Sequence, residues 1–232
     1  EPVVARAARH DWEEPCISGT RGAGAVFFSG CNLRCVYCQN YDISTLRRGT
    51  PLSVDGLRAL FARLEAEGVH NLDLVTPTHF ALAIREALDP QPGIPVIWNS
   101  GGYDKPLTLR LLEGKIQIYM PDMKYSDGAL AAALSGAPDY PETARAAIRE
   151  MFRQVGPCVF DGEGLMRSGV LIRHLVLPGE LDNTFGVLDW IADAFRPGDV
   201  MVSLMSQYTP NGHGGPDRRL TPEEYGRAVD YM

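Results

Sequence analysis

The sequence has no apolar run approaching the about 20 residues that a membrane span requires, so no transmembrane segment is expected. It has no excess of positive charge. Lys and Arg number 22 against 29 Asp and Glu, leaving a formal charge of −7, without the basic face that nonspecific nucleic-acid binding needs. It has no internal repeat and no low-complexity tract. It has five cysteines, an odd count, and no secretory segment is visible; a disulfide framework is not expected, and reduced thiols point to the cytoplasm. A chain that opens on Glu1 and stops at Met232 inside a helix-like pattern is expected to lack residues at both ends. What it does have is 45% apolar content over 232 residues, enough for one domain with a substantial core, expected to act as a monomer.

Three of the cysteines crowd into eight residues. Cys31, Cys35 and Cys38 are spaced four and three apart, just past the apolar run Ala25 to Phe28. Thiolates packed this densely need a multivalent counter-charge, and a soft metal centre is the usual one. An iron–sulfur cube normally takes four thiolates. Three leave one iron open, as an open position marks a catalytic zinc. A structural zinc would need a fourth ligand; His70 and His79 could be recruited, but no knuckle spacing supports them. A plain electron-transfer cluster would need a fourth nearby Cys, and the next after Cys38 is Cys158. Cys16 reads as a small buried apolar residue.

Six strands alternate with helices along the chain. Strands are expected at Ala25–Phe28, Asn71–Thr76, Ile94–Trp98, Lys115–Met120, Val170–Leu177 and Val200–Met205. Helices are expected from Ser53 to Gly68, His79 to Leu88, Leu107 to Leu112, Pro141 to Val155, Asn183 to Phe195 and Thr221 to Met232. Residues 1–23 read as an extended lead-in, 24–205 as the core, 158–169 within it as a Gly-rich turn, and 206–232 as a C-terminal loop and helix. Alternation of this kind implies βαβ crossovers and a parallel sheet. Six units are too few for the eight-stranded barrel, so the expected α/β fold is an open, partial (βα)6 barrel. Ligands of such sheets bind at the carboxyl ends of the strands, and polar residues collect there: the cysteines, Thr76-Pro77-Thr78-His79, Asn99-Ser100-Gly101-Gly102, Asp122 and Lys124, with Arg173 in the fifth strand and Gln207-Tyr208 after the sixth.

The pattern Cys, three residues, Cys, two residues, Cys, with Tyr37 before the last thiol, resembles the radical S-adenosylmethionine enzymes. Gly19 to Gly22 and Val26 to Cys35 are similar to their activating-enzyme branch, which includes pyruvate formate-lyase activating enzyme. The resemblance covers nearly the whole chain and implies a partial barrel, a [4Fe-4S] cluster on Cys31, Cys35 and Cys38, and S-adenosylmethionine on the fourth iron. It assigns cofactor binding to Tyr37, Thr76, Thr78, His79, Asn99, Ser100, Asp122, Lys124, Arg173, Gln207 and Tyr208. It also implies a monovalent cation at Asn99, Ser100, Met120 and Asp122. The chain departs from the family in two places. Thr76-Pro77-Thr78-His79 replaces a Gly-Gly-Glu motif that helps hold the cofactor amine, and Asn99 stands where the family has Asp. Of the adjacent pair Arg173 and His174, which face opposite ways on a strand, Arg173 is expected inside and His174 packed against outer helices.

The activity so implied is reductive cleavage of S-adenosylmethionine to a 5′-deoxyadenosyl radical that abstracts hydrogen. Reduced flavodoxin or ferredoxin would supply the electron, and a glycyl radical enzyme would be the protein substrate. One alternative keeps the chemistry and changes the substrate to a peptide or small metabolite. Another is a non-catalytic iron–sulfur electron-transfer or binding protein.

Overall fold

The computed structural model describes residues 1–232. The amino end is more than a featureless lead-in. Val3–His10 forms strand β1 and Pro15–Ser18 a single helical turn, α1. β1 runs antiparallel to β2, Ala23–Phe28, with His10 opposite Ala23 and Val4 opposite Phe28. A bulge between Val4 and Arg6 breaks the period-2 alternation that would have revealed β1 in the sequence.

The cysteine loop follows β2 and leads through α2 (Tyr41–Ser44) to β3 (Thr50–Pro51), which pairs with the start of β1. α3, Val54–Ala66, is capped by Ser53, whose hydroxyl accepts the Gly56 N–H, and it buries Leu57, Phe61 and Leu64. Burying each of those side chains contributes roughly 1.5–3 kcal/mol. β4 spans Leu72–Val75. The helix after it starts later than its sequence suggests: Thr78–Phe80 is a 3-10 turn, α4 covers Ala81–Ala87, and no side chain caps either. β5 is Val96–Ser100, α5 Pro106–Arg110 and β6 Ile118–Pro121.

α6, Gly128–Ser135, has no counterpart in the sequence reading. Its Gly-Ala-Leu-Ala-Ala-Ala-Leu-Ser run lacks the polar face that makes a helical stripe visible, although Asp127 caps its start and a left-handed Gly136 ends it. α7 is Tyr140–Val155. β7, Val159–Phe160, doubles back on β8, Met166–Leu175, so β8 begins inside the expected turn region. α8 (Leu181–Ala194), β9 (Met201–Met205) and α9 (Pro222–Tyr231) complete the chain. No helix is long and apolar enough to cross a membrane.

Six strands run parallel in the order β2-β4-β5-β6-β8-β9. The sheet curves without closing: β9 pairs only with β8, and β1 flanks β2 at the other edge. Alternate residues of each strand face opposite sides. Leu72, Leu74, Trp98, Tyr119 and Ile172 join the helices in the main core. Ile97, Ile118, Met120 and Leu171 point inward and meet Ile17 and Ala23 in an apolar floor. Cys16 and Cys158 pack against that floor. Above it the inward positions turn polar, at Asp73, Asn99, Asp122 and Arg173.

Candidate active site

The loop bearing Cys31, Cys35 and Cys38 leaves the carboxyl end of β2 and is tied down from three sides. The Arg34 and Val36 amides donate to the Ser135 and Leu134 carbonyls, at 3.2 and 2.9 Å, on the last turn of α6. The His79 Nε2 lies 2.8 Å from the Ser29 carbonyl. On the outer side, Asn211 Nδ2 donates to the Val36 carbonyl at 3.0 Å. Gly30 has φ +89°, and a side chain there would meet the His79 ring at 3.2 Å. The ring occupies the space a side chain would need.

The donor set fits a multinuclear cluster. Burial pushes the Cys31 and Cys35 thiols up, and each is raised further by its neighbours, Cys31 by Cys35 and Cys38, and Cys35 by Cys38. Such thiols give up their protons when a strongly positive centre replaces them. No three His, Cys, Asp or Glu side chains converge as ligands of a single metal ion would, so the zinc alternative gains no support from geometry. His70 lies against Gly19 and Arg21 at the start of β4, at the opposite end of the strands. Each thiol has polar neighbours: the Leu33 amide donates to Cys31 (3.4 Å) and Asn32 Oδ1 lies 3.9 Å from it, Ser135 Oγ lies 2.9 Å from Cys35, and Ser44 Oγ lies 3.2 Å from Cys38.

Beside the thiols lies a charge network on the inner strand faces. Arg173 Nη2 donates to Asn99 Oδ1 at 2.6 Å and stands 3.2 Å from Asp122, while its Nη1 reaches Glu13 at 3.4 Å. Lys124 Nζ donates to the other Asp122 oxygen at 2.6 Å. Burial alone would push the Asp122 carboxyl up, but Lys124 and Arg173 bring it below its ordinary value. Asp73 is fully buried two strands away, on β4. Burial and Glu13 hold its carboxyl well above the usual range; Oδ2 accepts from Asn99 Nδ2 at 3.2 Å, and Oδ1 has no partner.

The side chains offered to a monovalent cation make other contacts in this structure. Ser100 Oγ turns to Asp104 at 2.6 Å, Met120 belongs to the apolar floor, and both Asp122 oxygens have cationic partners. Between Asn99 and Asp122 the structure seats the Arg173 guanidinium. Thr78 likewise donates to Asp104, at 2.8 Å, and lies inside the 3-10 turn and not at its cap. Thr76 has φ +57°, rare and strained for a β-branched residue, and its amide donates to the Asn99 carbonyl at 2.8 Å. Gly102, at φ +76°, lies so close to the Asp122 carbonyl that an added Cβ would collide with it.

His174 faces outward. Its ring meets Thr184 of α8 at 2.9 Å and the Met123 carbonyl at 2.7 Å, and burial drops its pKa to about 4. Of Gln207 and Tyr208, only Gln207 lines open space. Tyr208 is buried, donates to the Pro216 carbonyl at 2.7 Å, and packs its ring on Tyr37; it presents no free face to a base. A cavity of about 680 Å³ fills the seam between β1 and β9, with His10, Glu13, Asn40, Arg173, Ser203 and Gln207 among its lining residues. Arg173 and Glu13 of the charge network line this mouth, which incomplete closure of the barrel leaves open, whereas Cys31 lines a separate cavity of about 290 Å³ with Ser29 and His79.

Glu13, Asp73, Asp104 and Ser135 were not singled out by the sequence reading. Asp73 carried a usable signal, a carboxylate inside the otherwise apolar Leu72-Asp73-Leu74-Val75 strand. The other three also have partners 26 to 160 residues away.

Comparison with known proteins agrees with this geometry. Residues 18–80 match the 4Fe-4S single cluster domain family. An uncharacterized protein of Methanocaldococcus jannaschii is 30% identical over 220 residues, covering 88% of this chain; the chain spans 60% of that relative's length. Methylornithine synthase has a similar fold (TM-score 0.56, 18% identity, covering 90% of this chain and 61% of that one). So has Streptococcus suis SuiB, bound to its precursor peptide SuiA (0.56, 14%, 87% and 43%), and QueE from Escherichia coli (0.50, 10%, 99% and 88%). The matched family is named for a single 4Fe-4S cluster, and the matched residues include Cys31, Cys35 and Cys38. The cysteine motif, the cluster domain matched over residues 18–80 and the partial barrel are the features that the resemblance to the radical S-adenosylmethionine enzymes implies.

Proposed function

We propose that this enzyme activates a partner protein by taking a hydrogen atom from a backbone glycine, in the manner of the glycyl-radical activating branch it resembles. When bound, the reduced cluster and S-adenosylmethionine supply one electron and a 5′-deoxyadenosyl group able to abstract that hydrogen. The residues around them hold and orient. Cys31, Cys35 and Cys38 would bind three irons, leaving the fourth for the cofactor's amine and carboxylate. Arg173 and Lys124 offer cations to that carboxylate, and Asp122 keeps both in place. Thr78 and His79 stand where the family has a Gly-Gly-Glu element; Thr78 is occupied by Asp104 and His79 by the Ser29 carbonyl, so the amine has to rely on the iron more than on this turn. Gln207 lines the side of the mouth where the resemblance places adenine.

The observation that carries the proposal is the mouth itself. A loop of a folded partner must come within about 3–3.5 Å of the reactive carbon, and the seam between β1 and β9 opens a cavity of about 680 Å³ beside Arg173. The same width would admit a peptide, the second reading, and SuiB offers a precedent of this fold with a peptide bound. The electron donor in either case is a reduced flavodoxin or ferredoxin. The test is anaerobic incubation of reconstituted, reduced enzyme with S-adenosylmethionine and a glycyl radical enzyme from the same genome, followed by electron paramagnetic resonance. A glycyl doublet with one 5′-deoxyadenosine per radical is the expected result. Deoxyadenosine without a doublet, restored by a peptide, would transfer the activity to the second reading.

A further inference from the structure

The Cys35 sulfur sits at the end of a buried row of hydroxyls. Tyr37 Oη lies 2.8 Å from Tyr125 Oη, which lies 2.6 Å from Ser135 Oγ, which lies 2.9 Å from Cys35 Sγ. Tyr37, Tyr125 and Ser135 are 7%, 0% and 1% exposed, so water does not compete for these bonds. The row starts and ends within the cysteine loop. Between those ends it passes through Tyr125, just after β6, and Ser135, on the last turn of α6.

We propose that Ser135 is a positioning residue that sets the reduction potential of the cluster through a one-way hydrogen-bond chain, Tyr37 to Tyr125 to Ser135 to the Cys35 sulfur. This rests on the reading of Cys35 as a cluster ligand. A metal-bound thiolate has no proton and can only accept. Ser135 has a single hydroxyl hydrogen, so once it donates to Cys35 its oxygen is left to accept from Tyr125, and Tyr125 in turn accepts from Tyr37. Three hydroxyls with three hydrogens are thereby aligned in one direction, and aligned donors polarise one another in a dry interior. Donors to a cluster sulfur favour the state with more negative charge, the reduced one, and so raise the potential. No proton moves along the chain. The one electron comes from the external donor.

The other two thiols are served differently. Cys31 takes a longer bond, at 3.4 Å, from the Leu33 amide. Ser44, beside Cys38, also lies 3.5 Å from Thr45 Oγ1, so its hydroxyl has an alternative partner. Cys35 alone receives a buried donor that is itself fixed from behind.

The test is an anaerobic redox titration of the cluster, followed by electron paramagnetic resonance, in the reconstituted full chain and in Ser135→Ala, Ser135→Thr and Tyr125→Phe. Ser135→Ala should move the midpoint to more negative potential, Tyr125→Phe should move it the same way by less, and Ser135→Thr should return it toward the parent value. A Ser135→Ala cluster with the parent potential overturns the proposal while leaving the cluster reading intact. Should Ser135→Ala fail to hold iron, Tyr125→Phe decides: a negative shift supports the chain, and an unchanged midpoint overturns it. If the parent protein itself binds no four-iron cluster, the reading of the thiols falls first and the chain with it.

Discussion

A carboxylate held between an ammonium and a guanidinium does more by orienting them than by its own charge, and Asp122 is such a residue. Its substitution by Asn would keep the shape and free Lys124 and Arg173 to turn away. Asp122→Asn and Arg173→Ala should each weaken S-adenosylmethionine binding by about 1.5–3 kcal/mol, the value of a hydrogen bond to a charged group, with iron content unchanged. Anaerobic titration calorimetry measures this, and parent-like affinity in both variants would remove the pair from the site. The cysteines divide more sharply. Cys31→Ala, Cys35→Ala and Cys38→Ala should each abolish four-iron incorporation as assayed by iron and sulfide content. Cys16→Ala and Cys158→Ala, which lie against the apolar floor, should leave it intact.

Among the elements, the contact between β8 and α8 contains a titratable group with no solvent to relieve it. His174 is fully buried, and its pKa falls from 6.5 to about 4. The unfolded chain therefore takes up a proton near pH 6.5 that the folded chain refuses until about pH 4. The group's stabilising contribution is complete above pH 6.5 and is lost as pH falls toward 4, by up to about 3 kcal/mol at 1.36 kcal/mol per pKa unit. Denaturant melts from pH 7 to 4.5 should show this slope, and His174→Gln should flatten it. A parent-like slope in the variant would assign the acid sensitivity elsewhere. His174 also marks how far sequence could reach. That it and Arg173 face opposite ways followed from strand geometry, and the six parallel strands followed from alternation of apolar runs with helical stripes. β1 and α6 did not, the first because a bulge scrambles its period, the second because an alanine-rich helix has no polar face. The thiols were legible as a local motif, whereas Glu13 and Ser135 meet Arg173 and Cys35 across 160 and 100 residues, which no local pattern records.

Taken whole, the molecule is a sheet with two unlike edges. On one side β1 covers β2 and β3 covers the start of β1, and on the other β9 is paired on one side only. Removing residues 1–23 should therefore do more than shorten the chain. It would strip the antiparallel cover from β2 and take away Glu13 from Arg173, leaving an open edge of the kind that invites association. Size-exclusion chromatography should find the truncated chain aggregated; a monodisperse, cofactor-binding product would show that the cover is dispensable. The seam between the edges also fixes where variation is tolerated. Strand β9 and the later part of β1 face the cavity, but the position of Asp122 is set from the loop after β5, where Gly102 leaves just enough room for its carbonyl. A residue that bears no functional group thus belongs to the site's genetic target. Exchanging one polar side chain at the mouth removes only that side chain's own contacts, while a single methyl group at position 102 would shift the charge network as one body.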